Sequence, residues 1–505
     1  MLNDFDTRRD FLKGLGLGLA ATTLAIRPGR IAFSSERKKP APASSCPCLR
    51  RGKLVPAEAG SKSGGGPNII LIFIDDMGYG DLSCYGNQAI KTPNIDRLAE
   101  EGVRIKQFYV NSPICSPSRV AVTTGMYPAR WRINSFLNSR EQNRKRDMAD
   151  YLDPKAPTLA RTLKQAGYAT AHFGKWHMGG GRDVDDAPLP QEYGFDESLV
   201  SFEGLGDRIL IKNDGLSKAS AKLSQGEVRW VEKHEMTGIY VNRAIDFICR
   251  KKDKPFYINL WPNDVHDAHL PKPQLLDKYK DVTQNEYEQK LFAVLDELDR
   301  QIGRLMNEIS RLGLNEDTII IFTSDNGPTD WPRYYKEGVK PPGSAGPFRG
   351  RKWSLYEGGI RVPFIIRWKG KIPAGKVNEK SVVCGVDIFA SLCSLAGIDI
   401  PQDFDFDGQD MSGAFLGKNV KRKKPIFWEY RRKPFYLKPG NPEFVSPNLA
   451  IRQGRWKLLI NDDGSGAELY DLAEDPGEKL NCAKVKPEIV ARLSKKLLEW
   501  RKSLP

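Results

Sequence analysis

Residues 68–76 read NIILIFIDD, six apolar residues in a row closed by two aspartates. An apolar run without alternation suits a strand buried on both faces, as in a parallel sheet covered by helices. The chain around it keeps to that plan. TPNIDRLAEEG (92–102) has apolar residues at helical spacing, with Pro93 near its start and Gly102 past its end. PTLARTLKQAG (157–167) repeats the arrangement and leads into a strand, YATAHFG (168–174). PFYINLW (255–261) is a further strand, and a long amphipathic helix over 285–313 runs into DTIIIFTSDNG (317–327). Strands alternating with helices predict an α/β domain over 67–420, with a large mixed, mostly parallel sheet flanked by helices. The charge run KNVKRKKP (418–425) marks a boundary. Beyond it, LAIRQGRWKLLI and ELYDLAEDPGE read as short strands and a turn, closed by a helix in 487–504. Residues 421–505 are therefore expected to form a smaller α+β subdomain containing a short antiparallel sheet.

Bulk properties narrow the class. The 505 residues are 40% apolar and 10% aromatic, as in an ordinary globular protein. The formal charge of +15 is concentrated at the N-terminus, where residues 1–62 hold 12 Lys/Arg against 5 Asp/Glu. The remaining surplus suits a polyanionic substrate or simply a soluble basic surface. No nucleic-acid motif or aromatic-basic repeat is present, so a DNA or RNA partner is not expected. Near the start, TRRDFLKGLGLGLAATTLA (7–25) places Arg8 and Arg9 before Phe11, Leu12, Lys13 and a short apolar stretch. This is the pattern of a twin-arginine export signal, which implies the twin-arginine export machinery as a partner and a periplasmic or secreted location. Residues 1–43 are assigned to that signal and a following basic segment, and 44–66 to a flexible linker. The eight cysteines show no zinc-like pairing.

Polar clusters follow four of the strands. Asp75 and Asp76 close the first; Lys175 and His177 follow YATAHFG; Asn263, Asp264 and His266 follow YINLW; Asp325 and Asn326 follow IIIFTS. Taken singly, DD and SDNG are turn formers, and a lone His or Lys is usually surface or core. Taken together they meet at the carboxyl ends of the strands, where ligand sites lie in open α/β sheets. Asp75, Asp76, Asp325 and Asn326 offer only oxygen ligands, a set for Ca²⁺ or Mg²⁺ rather than structural zinc. Their charge nearly balances Arg119, Lys175 and Lys352 once a divalent ion and an anionic substrate arrive. Lys352 lies in FRGRKWSLYEGGIRVPF, whose Gly358–Gly359 pair is expected to allow a tight turn.

A lone cysteine lies in SPICSPSRVAVTTGMYPAR (112–130). Ser116 reads as an N-cap and Pro117 as the first helical residue, which puts Cys115 at a helix N-terminus with Arg119 one turn on. That is a setting for anion chemistry, although a free cysteine is commonly buried and inert. A nucleophile among cations, a metal set and histidines describes ester hydrolysis at sulfur or phosphorus.

CSPSRVAVTTG resembles the signature of the type I sulfatases, the formylglycine-dependent, arylsulfatase-like members of the alkaline-phosphatase superfamily. Thr123 stands where that family usually has Leu. LIFIDDMGYGDLSCYG, GYATAHFGKWHMGG, TSDNGP, GRKWSLYEGGIRVPF and ELYDLAEDPGE resemble further family blocks, in family order, across roughly 67–500. The resemblance implies that a maturation enzyme oxidises Cys115 to formylglycine, whose hydrate attacks sulfur, and that Arg119 holds the hydrate. It implies that Asp75, Asp76, Asp325 and Asn326 bind Ca²⁺, that Lys175 and Lys352 grip the sulfate, and that His177 contacts the formylglycine hydroxyls. For the general acid, NDVHDAHLP (263–271) offers two histidines. His266 is nearer the strand end and is preferred, and His269, which satisfies H-x-P, is then a substrate or loop residue. His172 and His234 read as structural. The basic insert NSREQNRKRDMADYLDP (138–154) is a cleft lining or a solvated loop.

The expected activity is thus calcium-dependent hydrolysis of sulfate esters, with a sulfated carbohydrate as the expected substrate. The alternatives are a related phosphodiesterase or phosphonate monoester hydrolase, and a non-catalytic protein that binds sulfated glycans.

Overall fold

The computed structural model describes residues 65–331, 335–336, 338–431 and 435–505. The export signal and the linker read from the sequence lie outside the described residues, apart from Gly65 and Gly66 at the linker's end. Ten strands form the main sheet: β1 (Asn68–Ile74), β2 (Val103–Tyr109), β3 (Ala169–Lys175), β4 (Glu197–Ser201), β5 (Arg208–Ile211), β6 (Val228–Val231), β7 (Phe256–Trp261), β8 (Thr318–Ser324), β9 (Phe364–Trp368) and β10 (Lys376–Cys384). Their spatial order is β10-β2-β9-β8-β1-β7-β3-β4-β5-β6. Only β9 runs against its neighbours, antiparallel to both β2 and β8, which makes the sheet mixed and mostly parallel.

β1 shows why the apolar run had to be continuous. Ile69, Leu71 and Phe73 enter one core, while Ile70, Ile72 and Ile74 enter the other. Successive side chains point to opposite faces, so covering both faces demands an apolar residue at every position. The first core is shared with α2 (Cys115–Thr124) and α5 (Asp387–Ala396), and the second with α1 (Pro93–Glu100), α3 (Met236–Lys251) and α4 (Glu286–Arg311). α4 starts where its sequence announces it, with the Asn285 side chain accepting the Tyr287 N–H. Among the described residues no helix is long and apolar enough to cross a membrane.

β11 (Ile426–Glu429), β12 (Leu449–Gln453), β13 (Trp456–Ile460) and β14 (Glu468–Asp471) form a four-stranded antiparallel sheet in that order. One face, with Trp428, Ala450 and Leu459, joins the core of the main sheet. The other, with Ile451, Leu458 and Ile460, is covered by Leu493 and Leu497 of α6 (Pro487–Lys502).

Candidate active site

Strands β8, β1, β7 and β3 are adjacent, parallel and in step. Ile74 faces Ser324 and Gly174 faces Trp261, so all four strands end at one edge. The clusters that follow them are therefore thrown together. Asp325 N–H bonds to the Ile74 carbonyl at 2.9 Å, and Asp76 N–H to Asp325 Oδ1 at 3.1 Å. β3 can approach β7 closely because residue 174 is glycine. It has φ +134°, and a Cβ there would lie 2.1 Å from the Trp261 carbonyl oxygen.

The helix bearing the cysteine begins earlier than the sequence suggested. Ile114 is the extended residue before it and Cys115 is its first member. Ser116 does not cap; its Oγ accepts the Leu137 N–H at 3.0 Å, tying the helix to the segment that follows. Cys115 and Arg119, one turn apart, address the same carboxylates. Cys115 Sγ lies 3.4 Å from Asp75 Oδ1, and Arg119 Nη2 lies 2.7 Å from Asp325 Oδ2 and 3.5 Å from Asp75 Oδ1.

The other two cations complete the cluster. Lys175 Nζ donates to Asp75 Oδ2 at 2.6 Å. Lys352 Nζ donates to both oxygens of Asp76 at 2.5 and 2.7 Å, and Asn326 Nδ2 donates to Asp76 Oδ1 at 2.8 Å. All of these side chains are buried. One atom each from Asp75, Asp76, Cys115 and Asp325 lie within 4.8 Å of one another. Asn326 Oδ1 is buried, has no hydrogen-bond partner among the described residues, and belongs to the same turn. Three carboxylates and an orphaned amide oxygen are hard donors, and they fit a divalent ion of the Ca²⁺ type.

Burial by itself would raise every carboxyl here. Lys175, His266 and Arg119 outweigh it at Asp75, which is held well below its ordinary value, and Lys352 and then His266 outweigh it at Asp76, which is lowered. Asp325 is pushed up to about 7 by burial and by the neighbouring Asp75 charge. Burial also pushes the Cys115 thiol far up, so the unmodified side chain is a poor nucleophile at neutral pH.

His177 sits in the left-handed region, at φ 51°, edge-on to Phe202. Neither ring nitrogen finds a partner among the described residues. Burial, then Lys175 and Arg119, hold it well below the usual histidine range, so it is neutral. His266 Nδ1 lies 2.6 Å from the Asp267 carbonyl, which assigns the proton there and leaves Nε2, 3.7 Å from Asp76 Oδ2, facing the cluster. Its side chain is 24% exposed, unlike that of His269 at 5%. His269 turns into its own loop, with Nε2 against the Val265 carbonyl and Nδ1 3.4 Å from Asp267. His172 is enclosed by Trp176, Phe195 and Trp261 inside the core. Asn263 accepts from Ser201 Oγ, and Arg140 of the basic insert pairs with Asp150, Asp185 and Asp186.

Several residues carried no sequence signal. Lys233, buried, donates to the carbonyls of His266 and Ala268 and so holds the histidine loop. Gly358 and Gly359 do not form the expected turn. They lie in a helical segment, Glu357–Ile360, and are glycine because a Cβ on either would lie 2.1 Å from the carbonyl oxygen of Gly350 or Ser354. That close packing shapes the loop bearing Lys352. The C-terminal sheet grips the same loop: Lys457 Nζ bonds Glu357 Oε1 at 3.0 Å and Glu478 Oε1 at 2.9 Å, and Glu478 accepts the Glu357 N–H at 2.6 Å. Ser446 Oγ accepts the Leu355 N–H, and Tyr356 donates to Glu468.

The sequence matches a family model for sulfatases over residues 67–398, and one for the C-terminal region of N-sulphoglucosamine sulphohydrolase over 346–503. An N-acetylgalactosamine-6-O-sulfatase of Bacteroides thetaiotaomicron is 32% identical over 85% of this chain and 92% of its own length. Human arylsulfatase A is 30% identical over 88% and 89%. Among solved structures, a 6S-sulfatase from work on glycosaminoglycan metabolism by Bacteroides thetaiotaomicron superposes with a TM-score of 0.68 at 29% identity, covering 87% of this chain and 99% of that one. Ps i-CgsB, solved in complex with k-i-k-neocarrahexaose, gives a TM-score of 0.70 at 25% identity, covering 86% and 92%.

Proposed function

This chain belongs to the sulfatase family and is a sulfuric ester hydrolase, and from that premise we propose that it removes sulfate from a sulfated carbohydrate, using formylglycine made from Cys115 and Ca²⁺ held by Asp75, Asp76, Asp325 and Asn326. The observation that carries the reading is the convergence of Cys115, three carboxylates and three cations in one buried pocket. The carbohydrate follows from relatives described as N-acetylgalactosamine-6-O-sulfatase and from the carrageenan-type hexaose bound to a structural neighbour.

Formylglycine supplies an oxygen nucleophile at the Cys115 position, and the divalent ion supplies positive charge toward the transferring group. The rest is done by the chain itself. Lys175 and Lys352 bind the sulfate oxygens and stabilise the charge that develops on them, in a pocket where low exposure strengthens each contact. Arg119, locked between Asp75 and Asp325, fixes the orientation of residue 115. Neutral His177 accepts or donates a hydrogen bond beside it. His266 Nε2, at the mouth, delivers a proton to the leaving alcohol oxygen. Burial first lowers its folded pKa to about 4, and the charge of a bound sulfate anion favours the form that carries a proton on Nε2. Oxidation of Cys115 requires a maturation enzyme as partner. Arg8, Arg9 and the apolar stretch after them support twin-arginine export to the periplasm or beyond.

The test is peptide mass spectrometry across Cys115 after coexpression with a maturation enzyme, followed by turnover of N-acetylgalactosamine 6-sulfate and sulfated carrageenan oligosaccharides. Matched phosphate esters serve as controls. An aldehyde at residue 115 with sulfate release is expected. An intact thiol, beside a control sulfatase that is modified, overturns the reading.

A further inference from the structure

The groups assigned to sulfate are almost sealed: Cys115, Lys175, His177 and Lys352 are each 3% exposed or less. A sulfate ester that enters this pocket must project its alcohol portion past whatever forms the mouth. Two rings stand there, both only partly buried: His266 and Phe202. Their centroids are 6.3 Å apart, inclined at 37°. Phe202 also meets His177 edge-on at 4.8 Å, and Lys175 Nζ lies 4.8 Å from its centroid. The ring thus borders the sulfate cations on one side and opens outward on the other.

The backbone is held in an uncommon form to put it there. Phe202 and Glu203 are consecutive non-glycine residues in the left-handed region, at φ 51° and 55°. Such a conformation is unfavourable for side-chain-bearing residues and persists where surrounding contacts impose it. Here the Phe202 carbonyl accepts the His177 N–H at 3.0 Å, and buried Glu203 pairs with Arg182 at 2.9 Å. Arg182 is partly exposed, and this pair ties it to the residue that follows Phe202.

We propose that Phe202, with the Arg182–Glu203 pair beside it, forms the subsite for the leaving group, and that this subsite takes a pyranose. The proposal rests on the carbohydrate reading above. An aromatic face repels the sulfate anion and accepts the C–H face of a sugar, so Phe202 separates the two ends of the substrate. His266 and Phe202 are too close to sandwich a ring, so the sugar lies along the lip they share, with its glycosidic oxygens and hydroxyls toward Arg182. This places the ester oxygen beside His266, where the proton is needed.

The experiment uses full-length matured enzyme and compares wild type with Phe202→Ala and Phe202→Trp. The probes are N-acetylgalactosamine 6-sulfate, carrageenan oligosaccharide sulfates and 4-nitrophenyl sulfate, with inorganic sulfate as a competitive inhibitor. Phe202→Ala is expected to raise KM for the sugar sulfate about tenfold, with less than a twofold change in the inhibition constant of inorganic sulfate. Phe202→Trp is expected to recover most of the loss. A parallel rise in the sulfate inhibition constant would show that Phe202 merely props Lys175 and His177, and would overturn the subsite. An unchanged sugar KM overturns it as well. Wild-type enzyme that cleaves 4-nitrophenyl sulfate but no sugar sulfate overturns the carbohydrate reading instead, and the pyranose assignment with it.

Discussion

Lys352 and Lys175 look equivalent in sequence, yet each holds a different aspartate and so a different side of the pocket. Lys352→Ala is expected to lower kcat/KM for a sulfate ester by about 10²–10³-fold. Asp76 keeps the Asn326 N–H and, under the proposed function, the added Ca²⁺, so the melting temperature measured with Ca²⁺ should move by only a few degrees. Retention of full kcat/KM would remove Lys352 from the sulfate contacts. His266→Ala tests the proton donor through the leaving group. Loss of rate is expected to be about 10²-fold or more for a sugar sulfate, whose alkoxide needs a proton, and much smaller for 4-nitrophenyl sulfate. Equal losses on both would assign His266 to binding. His177 and His269 were indistinguishable from His266 by residue type. Position after the strand made His266 the preferred candidate over His269, and in the structure His269 is bonded within its loop while His266 is open to the mouth.

The elements matter for where they end. Gly174 lets β3 lie against β7 so that Lys175 reaches Asp75. Gly174→Ala puts a methyl group against the Trp261 carbonyl and displaces Lys175. The expected result is a loss of activity of tenfold or more together with a lower melting temperature, measured by steady-state kinetics and a thermal melt. Strands β1 and β8 were legible because burial on both faces leaves an unbroken apolar run, whereas β3 and β7, which carry Thr170, His172 and Asn259, were read from their short, mainly apolar stretches within the helix–strand alternation. The start of α2 was not: Ser116 and Pro117 carry cap-like and N1-like signals, but Ser116 Oγ bonds Leu137 instead. A local propensity there lost to a tertiary contact. The Gly358–Gly359 pair misled in the same way, since glycine signals either a turn or a close approach and sequence does not distinguish them.

At the scale of the whole molecule, the small C-terminal sheet is part of the active site's support. Lys457 lies fully buried between Glu357 and Glu478, under the loop that carries Lys352. Burial raises both acids; Lys457 and Arg361 overcome it at Glu357, whereas Glu478 is pushed up to about 7. Lys457, Arg361, Arg452 and Tyr109 are the other titratable or charged groups of this knot. A carboxyl raised in the fold keeps its proton after the unfolded chain has lost its own. Between the ordinary glutamate value of 4.5 and about 7 the native state therefore binds more protons, and stability falls as pH rises through that window. Glu478→Gln is expected to flatten this decline, on the order of a few degrees in Tm, when melts are compared between pH 5 and 7.5. A wild-type curve already flat over that range would contradict the assignment.

The sequence by itself determined the α/β plan and the strands whose ends carry polar clusters, because periodicity is a local property, and it named Asp75, Asp76, Cys115, Arg119, Lys175, Asp325 and Lys352 as candidates through those clusters and the family resemblance. It determined, too, that oxygen donors and cations occur in nearly matching number. Only the tertiary structure decided which carboxylate each cation holds, which histidine faces the mouth, that Phe202 stands at the lip and that Lys457 braces the Lys352 loop from another sheet. Those features depend on strand register and on contacts between residues tens to hundreds of positions apart. Such contacts leave no periodicity in a single chain, since a buried lysine or a partly buried phenylalanine looks locally like any other.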